Sequence, residues 1–183
     1  NYWKTCTLHA AVKLDVFTAI GRDRLSARVL ADRLNASRDG LERLLDALSA
    51  MQLIRRHGDG YENSPSSLTY LTAGSPDYIG WMIMHHDDLV DAWHRLDEAV
   101  LSGTPVRAPA SEAAPEWREN FLKGMQTNAR LQAPSVAAAI DLKERKKLLD
   151  LGGGPATYAI HFCQENPGLS AMVFDLPDAR PVA

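Results

Sequence analysis

With 45% hydrophobic and 23% charged side chains over 183 residues, the chain has the apolar content of one or two packed domains and none of the bias of a disordered or fibrous segment. A net charge of −3 gives no global attraction to nucleic acid or to an anionic membrane, and no apolar run approaches the roughly 18 residues of a membrane span. Two cysteines, Cys6 and Cys163, are too few for a disulfide framework or a cysteine zinc site and fit a reducing, cytoplasmic compartment.

Taken in order, residues 2–20 predict one helix, with Leu8, Ala11, Val12, Val16, Ala19 and Ile20 on or near one face and Gly21 as its stop. Ser26 predicts the cap of a second helix carrying Val29, Leu30 and Leu34, and Ser37 the cap of a third. That third helix is the clearest in the chain, because Leu41, Leu44, Leu45, Leu48 and Met51 recur at helical spacing. Leu53–Arg56 and Tyr61–Asn63 then flank His57-Gly58-Asp59-Gly60 and predict a hairpin.

Helices followed by a hairpin make a winged-helix pattern, which raises DNA binding. Between Ser26 and Asn63, however, Arg28, Arg33, Arg38, Arg43, Arg55 and Arg56 are matched by Asp32, Asp39, Glu42, Asp46, Asp59 and Glu62. The basic footprint that phosphate binding demands is missing, which favours a packing or dimerisation role over a transcription factor.

Residues 64–75 predict a short helix, and Pro76 to about Ser102 one long helix closed by Gly103. Within it, His85 and His86 are helix neighbours about 100° apart and cannot share an ion as an i, i+4 pair would, so no metal is expected there. The segment 104–115, with Pro105, Pro109 and Pro115 among small residues, reads as a linker between a helical domain at 1–103 and a second domain at 116–183. Beyond it, Glu116 to about Leu131 predicts a helix carrying Trp117, Phe121 and Met125, and Pro134 predicts the start of another through Ile140.

The most informative stretch follows. Leu148–Leu151 predicts a strand, Gly152-Gly153-Gly154 a tight loop and Pro155 the first turn of a helix bearing Ala159, Ile160, Phe162 and Cys163. A second strand, Ala171–Phe174, closes on Asp175 about 20 residues past the loop, where a ribose would need an acceptor. The dinucleotide pattern G-x-G-x-x-G would need a glycine at Thr157, whereas Asp150 ahead of Gly152 and Gly154 resembles motif I of the S-adenosylmethionine (SAM) methyltransferases. Two strands cannot bury both faces of a sheet, so residues 146–183 are expected to lean on something outside the sequence or to be only partly ordered, and the chain is expected to be a fragment.

The order of parts is similar to one family, the plant-type and bacterial small-molecule O-methyltransferases, which include hydroxyindole and polyketide-tailoring enzymes. Leu8–Phe17 resembles the family's opening helix, and Leu41–Leu45 with Met51–Ile54 its winged-helix core. Phe121 and Met125 resemble its F-x-x-x-M helix, Leu149–Gly154 its motif I and Val173–Pro177 its second motif. The resemblance implies a mainly α, winged-helix dimerisation domain followed by the first βαβ part of a Rossmann-like, SAM-binding α/β domain.

It also implies roles. Asp150 and Gly153 would form the cofactor loop with Gly152 and Gly154, which would meet the methionyl end of SAM; Asp175 would take the ribose hydroxyls and Leu176 would pack on the adenine. Phe121 and Met125 would border the transferred methyl and a small-molecule hydroxyl acceptor. Family members dimerise through the N-terminal helices, the partner's first helix closing the pocket. Ala156 stands where the third motif glycine is usual and Asn128 where plant members often carry histidine. The family's catalytic base, a histidine far downstream, matches none of the six histidines here, so the chain alone is expected to be inactive. The contrasting expectation is a winged-helix regulator or interaction module that senses a ligand without chemistry.

Overall fold

The computed structural model describes residues 2–107 and 115–183, so residues 108–114 of the expected linker lie outside the described residues. The chain groups into two compact units, Asn1–Val90 and Asp91–Ala183.

The first unit contains α1 (Tyr2–Lys13), α2 (Val16–Ile20), β1 (Leu25–Ser26), α3 (Ala27–Leu34), α4 (Arg38–Ala50), β2 (Ile54–His57), β3 (Gly60–Asn63), α5 (Pro65–Tyr70) and most of α6 (Gly80–His94). The Ser26 and Ser37 hydroxyls accept from the backbone N–H groups of Val29 and Gly40, each at 3.4 Å, and so cap α3 and α4. β2 and β3 pair antiparallel with Ile54 opposite Asn63 and His57 opposite Gly60. The short β1 adds to the other edge of β3, giving the order β1-β3-β2. Phe17, Ile20, Leu30, Leu45, Leu48, Ile54 and Tyr61 are fully buried at the centre of this unit.

Three helix boundaries before Gly103 differ from the periodicity. The helix expected over 2–20 breaks at Asp15, whose φ of 57° lies in the left-handed region. The break lets α2 place Val16, Phe17 and Ile20 in the core, while α1 is tied to α6 by His9 Nδ1 and Lys13 Nζ, each 3.1 Å from an oxygen of Asp87. The helix expected from Pro76 begins at Gly80, because the Ile79 N–H reaches back 2.9 Å to the Tyr70 carbonyl and holds 76–79 as a turn. It also breaks at Arg95, whose guanidinium bonds Glu98 at 2.9 Å beside the start of α7 (Leu96–Ser102).

Two polar arrangements stitch the first unit together. The amide Nδ2 of buried Asn63 donates to the carbonyls of Phe17, at 2.8 Å, and Gly21, at 2.9 Å, tying β3 to the end of α2. On the hairpin, Arg56 bonds Asp46 at 2.7 Å and lies over the Tyr61 ring, and the Tyr61 hydroxyl donates to Asp46 at 2.8 Å. The hairpin is thus bolted to α4, the helix that would have to enter a DNA groove. Burial first, then the bond to the Asp46 carboxylate, pushes the Tyr61 phenol from 10.0 up to about 12. A raised phenol pKa means the folded state holds its proton more tightly, so this contribution to stability is complete below pH 10.0 and is lost as pH rises through about 12. Denaturant titrations across that range should show the loss, and Tyr61→Phe should flatten it; an unchanged alkaline profile in the variant would contradict it.

The second unit contains α7, α8 (Pro115–Ala139), β4 (Lys147–Leu151), α9 (Thr157–Glu165) and β5 (Ser170–Phe174), followed by a single 3-10 turn at Pro177–Ala179. β4 and β5 are parallel, with Leu151 beside Phe174, so both strands end at the same level. The second helix expected from Pro134 does not start there: α8 runs through Pro134 without interruption. An interior proline costs about 3 kcal/mol. Ala133 and Ala137, one turn apart, are buried, and the helix that carries them packs along α9. Pro155 also lies ahead of its helix, in the turn before the cap residue Ala156.

Leu149, Leu151, Met172 and Phe174 share one face of the β4–β5 pair and are largely exposed. That matches the expectation that a two-stranded sheet leaves one apolar face without cover. Among the described residues no helix is long and apolar enough to cross a membrane, and no three His, Cys, Asp or Glu side chains are grouped to hold a metal ion.

Candidate functional site

In a parallel pair, the loops leaving the carboxyl ends of the strands are the natural place for a ligand. Here Gly152–Ala156 leaves β4 and Asp175–Leu176 leaves β5, side by side. The loop is fastened to its neighbour twice. The Gly152 N–H donates to the Phe174 carbonyl at 2.7 Å, and the Gly154 N–H donates to Asp175 Oδ2 at 2.6 Å. The other oxygen of Asp175 accepts from the Leu176 N–H, also at 2.6 Å. Short bonds to an ionised carboxylate are about twice as strong as neutral ones.

The three glycines are needed for different reasons. Gly152 and Gly154 have φ of 70° and 50°, which residues with a side chain seldom adopt. A Cβ on Gly152 would meet no atom within 4 Å, and one on Gly154 only Leu122 Cδ2 at 3.9 Å. Gly153 is required for space: a Cβ there would sit 2.6 Å from Asp150 Cγ and 2.8 Å from Val173 Cγ1. The Asp150 carboxylate therefore lies directly beneath the loop. Ala156 caps α9 with φ of 61° and no side-chain hydrogen bond. An L-residue in this left-handed conformation carries strain of about 1–2 kcal/mol.

A cavity of about 420 Å³ opens over this loop, between it and α8. Asp150, Gly152, Gly153, Gly154, Asp175, Phe121 and Met125 all line it, so seven of the eight residues singled out in the sequence surround one space. Leu176 is not among the lining residues and is 65% exposed. Asn128, Gln132, Thr157 and Tyr158 also line the cavity and were not singled out as ligand contacts. Extending the helical spacing from Phe121 and Met125 reaches Asn128, inside the expected helix, and Gln132, just past its expected end near Leu131. Trp117 stacks parallel on Phe121 at 5.5 Å, and the Arg107 guanidinium lies 4.4 Å from the Trp117 ring.

The chemistry of the lining fits a cationic, polar ligand with an apolar neighbour. Asp150 and Asp175 face the cavity with no lysine or arginine among its lining residues. Asp150 Oδ2 and Thr157 Oγ1 are buried without a hydrogen-bond partner, which is costly unless something else satisfies them. SAM, with its sulfonium and ammonium charges, suits that lining, and the glycine loop leaves room for backbone approach.

Comparisons with known proteins point to one family. A family model described as an O-methyltransferase dimerisation domain matches residues 1–73, and one described as an O-methyltransferase domain matches residues 93–183. A 3-hydroxy-5-methyl-1-naphthoate 3-O-methyltransferase of Streptomyces sahachiroi is 33% identical over 187 residues, covering 99% of this chain and 54% of that protein. The tetracenomycin polyketide synthesis 8-O-methyl transferase TcmO of Streptomyces glaucescens is 33% identical over 188 residues, covering 98% of this chain and 55% of that protein. The crystal structure of human N-acetylserotonin methyltransferase in complex with SAM superposes with a TM-score of 0.85 at 28% identity, covering 97% of this chain and 57% of that one. The chain thus spans about half the length of the curated relatives it matches.

Proposed function

From a chain that belongs to the SAM-dependent O-methyltransferase family, we propose that the protein transfers a methyl group to a hydroxyl of an aromatic or polyketide-like small molecule. The cavity over the glycine loop carries this reading, because its two carboxylates, its orphaned Asp150 oxygen and its glycine-lined wall suit SAM. When bound, SAM supplies an electrophilic methyl on a sulfonium. Asp150, Gly152, Gly153 and Gly154 cradle the methionyl end, Asp175 accepts the ribose hydroxyls and Leu176 covers the adenine. Phe121 and Met125 exclude water on the acceptor side, and the stacked Trp117 supports Phe121 against a flat substrate.

The first 103 residues form a winged-helix dimerisation domain joined by the 104–115 segment to a Rossmann-like domain from residue 116, and the protein is a cytoplasmic homodimer. The match of residues 1–73 to a dimerisation domain and the exposed Tyr2 and Trp3 on α1 support the dimer, and two free cysteines support the compartment.

Calorimetric titration should give saturable SAM binding to this chain, and a duplex-DNA shift assay at low salt should give no complex. DNA binding that weakens with salt, together with no heat on SAM addition, would overturn the proposal in favour of a regulator.

A further inference from the structure

We infer that Asp175 is the positioning residue of the glycine loop in the ligand-free protein, in addition to its proposed contact with the cofactor. This inference rests on the SAM reading only for its consequence; its cause lies in hydrogen bonds within the chain. Residues 152–154 are three consecutive glycines, the most freely rotating sequence a chain can have, and nothing packs against the Cβ position of Gly152. Side-chain packing therefore cannot hold Gly152 or Gly154 at their positive φ values. The Gly154 N–H is held by Asp175 Oδ2, and Asp175 is held in turn by the Leu176 N–H on its other oxygen. With Gly152 already bonded to Phe174, the loop is fixed at both ends to the neighbouring strand.

An ionised carboxylate has about four lone-pair positions, so after accepting these two N–H groups Asp175 still has acceptor capacity for two hydroxyls. One side chain can thus shape the loop first and receive the ligand second. Ordering the glycines before binding removes an entropic cost that would otherwise weaken the complex.

Hydrogen exchange of the ligand-free protein, read by mass spectrometry over residues 152–156, tests the inference. Asp175→Ala, which removes both acceptors, should speed exchange of this segment by on the order of tenfold. Asp175→Asn keeps one carbonyl oxygen and should give a smaller increase, while the exchange of α4 in the other unit stays unchanged and reports an intact fold. Wild-type exchange over 152–156 in both variants would overturn the inference. SAM titration of the same variants separates the two roles. Faster loop exchange with unimpaired SAM affinity supports the positioning role but removes both the ribose contact and the benefit of pre-ordering to binding; lost affinity with wild-type loop exchange keeps the ribose contact and overturns the positioning role.

Discussion

Gly153→Ala is expected to weaken SAM binding by roughly 5- to 150-fold, the equivalent of the about 1–3 kcal/mol that overpacking a filled site costs. The added methyl would land 2.6 Å from Asp150 Cγ and 2.8 Å from Val173 Cγ1, and both are held near their own backbones rather than at the tips of flexible chains. Either the loop lifts or Asp150 swings out, and each outcome deforms the cavity floor. Calorimetry on the variant measures the loss, and thermal melting should show the second unit destabilised by several degrees. Wild-type affinity in Gly153→Ala would mean that the carboxylate beneath the loop plays no part in shaping it.

Asn63→Ala is expected to destabilise the first unit by about 2–3 kcal/mol, because it strands the part-buried Gly21 carbonyl and empties the volume of an amide. Asn63 Nδ2 donates to Phe17 and Gly21, and the Gly21 carbonyl has no helical donor beyond the end of α2. Asn63→Asp should be worse at neutral pH than Asn63→Ala, since it turns a negative charge toward two carbonyl oxygens. Urea midpoints of the three proteins give the order. If the aspartate variant proved as stable as wild type, the side chain could not be donating in the way described.

The parts of the fold legible in the sequence were those fixed by chemistry within a few residues. The caps at Ser26 and Ser37, the stripe Leu41, Leu45, Leu48 and the strand, loop, helix, strand order around Asp150 all belong to this class. The boundaries that shifted are set by partners distant in sequence. The break at Asp15 sits beside a helix anchored through Lys13 to Asp87, and the late start of α6 depends on a bond from Ile79 to Tyr70. Pro134 misled because a local rule was outweighed by packing along α9. In the site, the motif residues could be read directly. The different demands on the three glycines could not, because only the fold reveals what occupies the space each lacking side chain would take.

The loop also has a consequence in terms of handedness. Backbone angles that an L-residue resists are the mirror image of ones it prefers, so a D-alanine would adopt the positive φ of Gly152, Gly154 and Ala156 with less backbone strain. Gly153 differs: its φ is not positive, and what bars an L side chain there is the carboxylate of Asp150 and the methyl of Val173. Three of the five residues from Gly152 to Ala156 thus hold mirror-image backbone angles, two of them achiral glycines and the third an L-alanine whose enantiomer would carry less backbone strain.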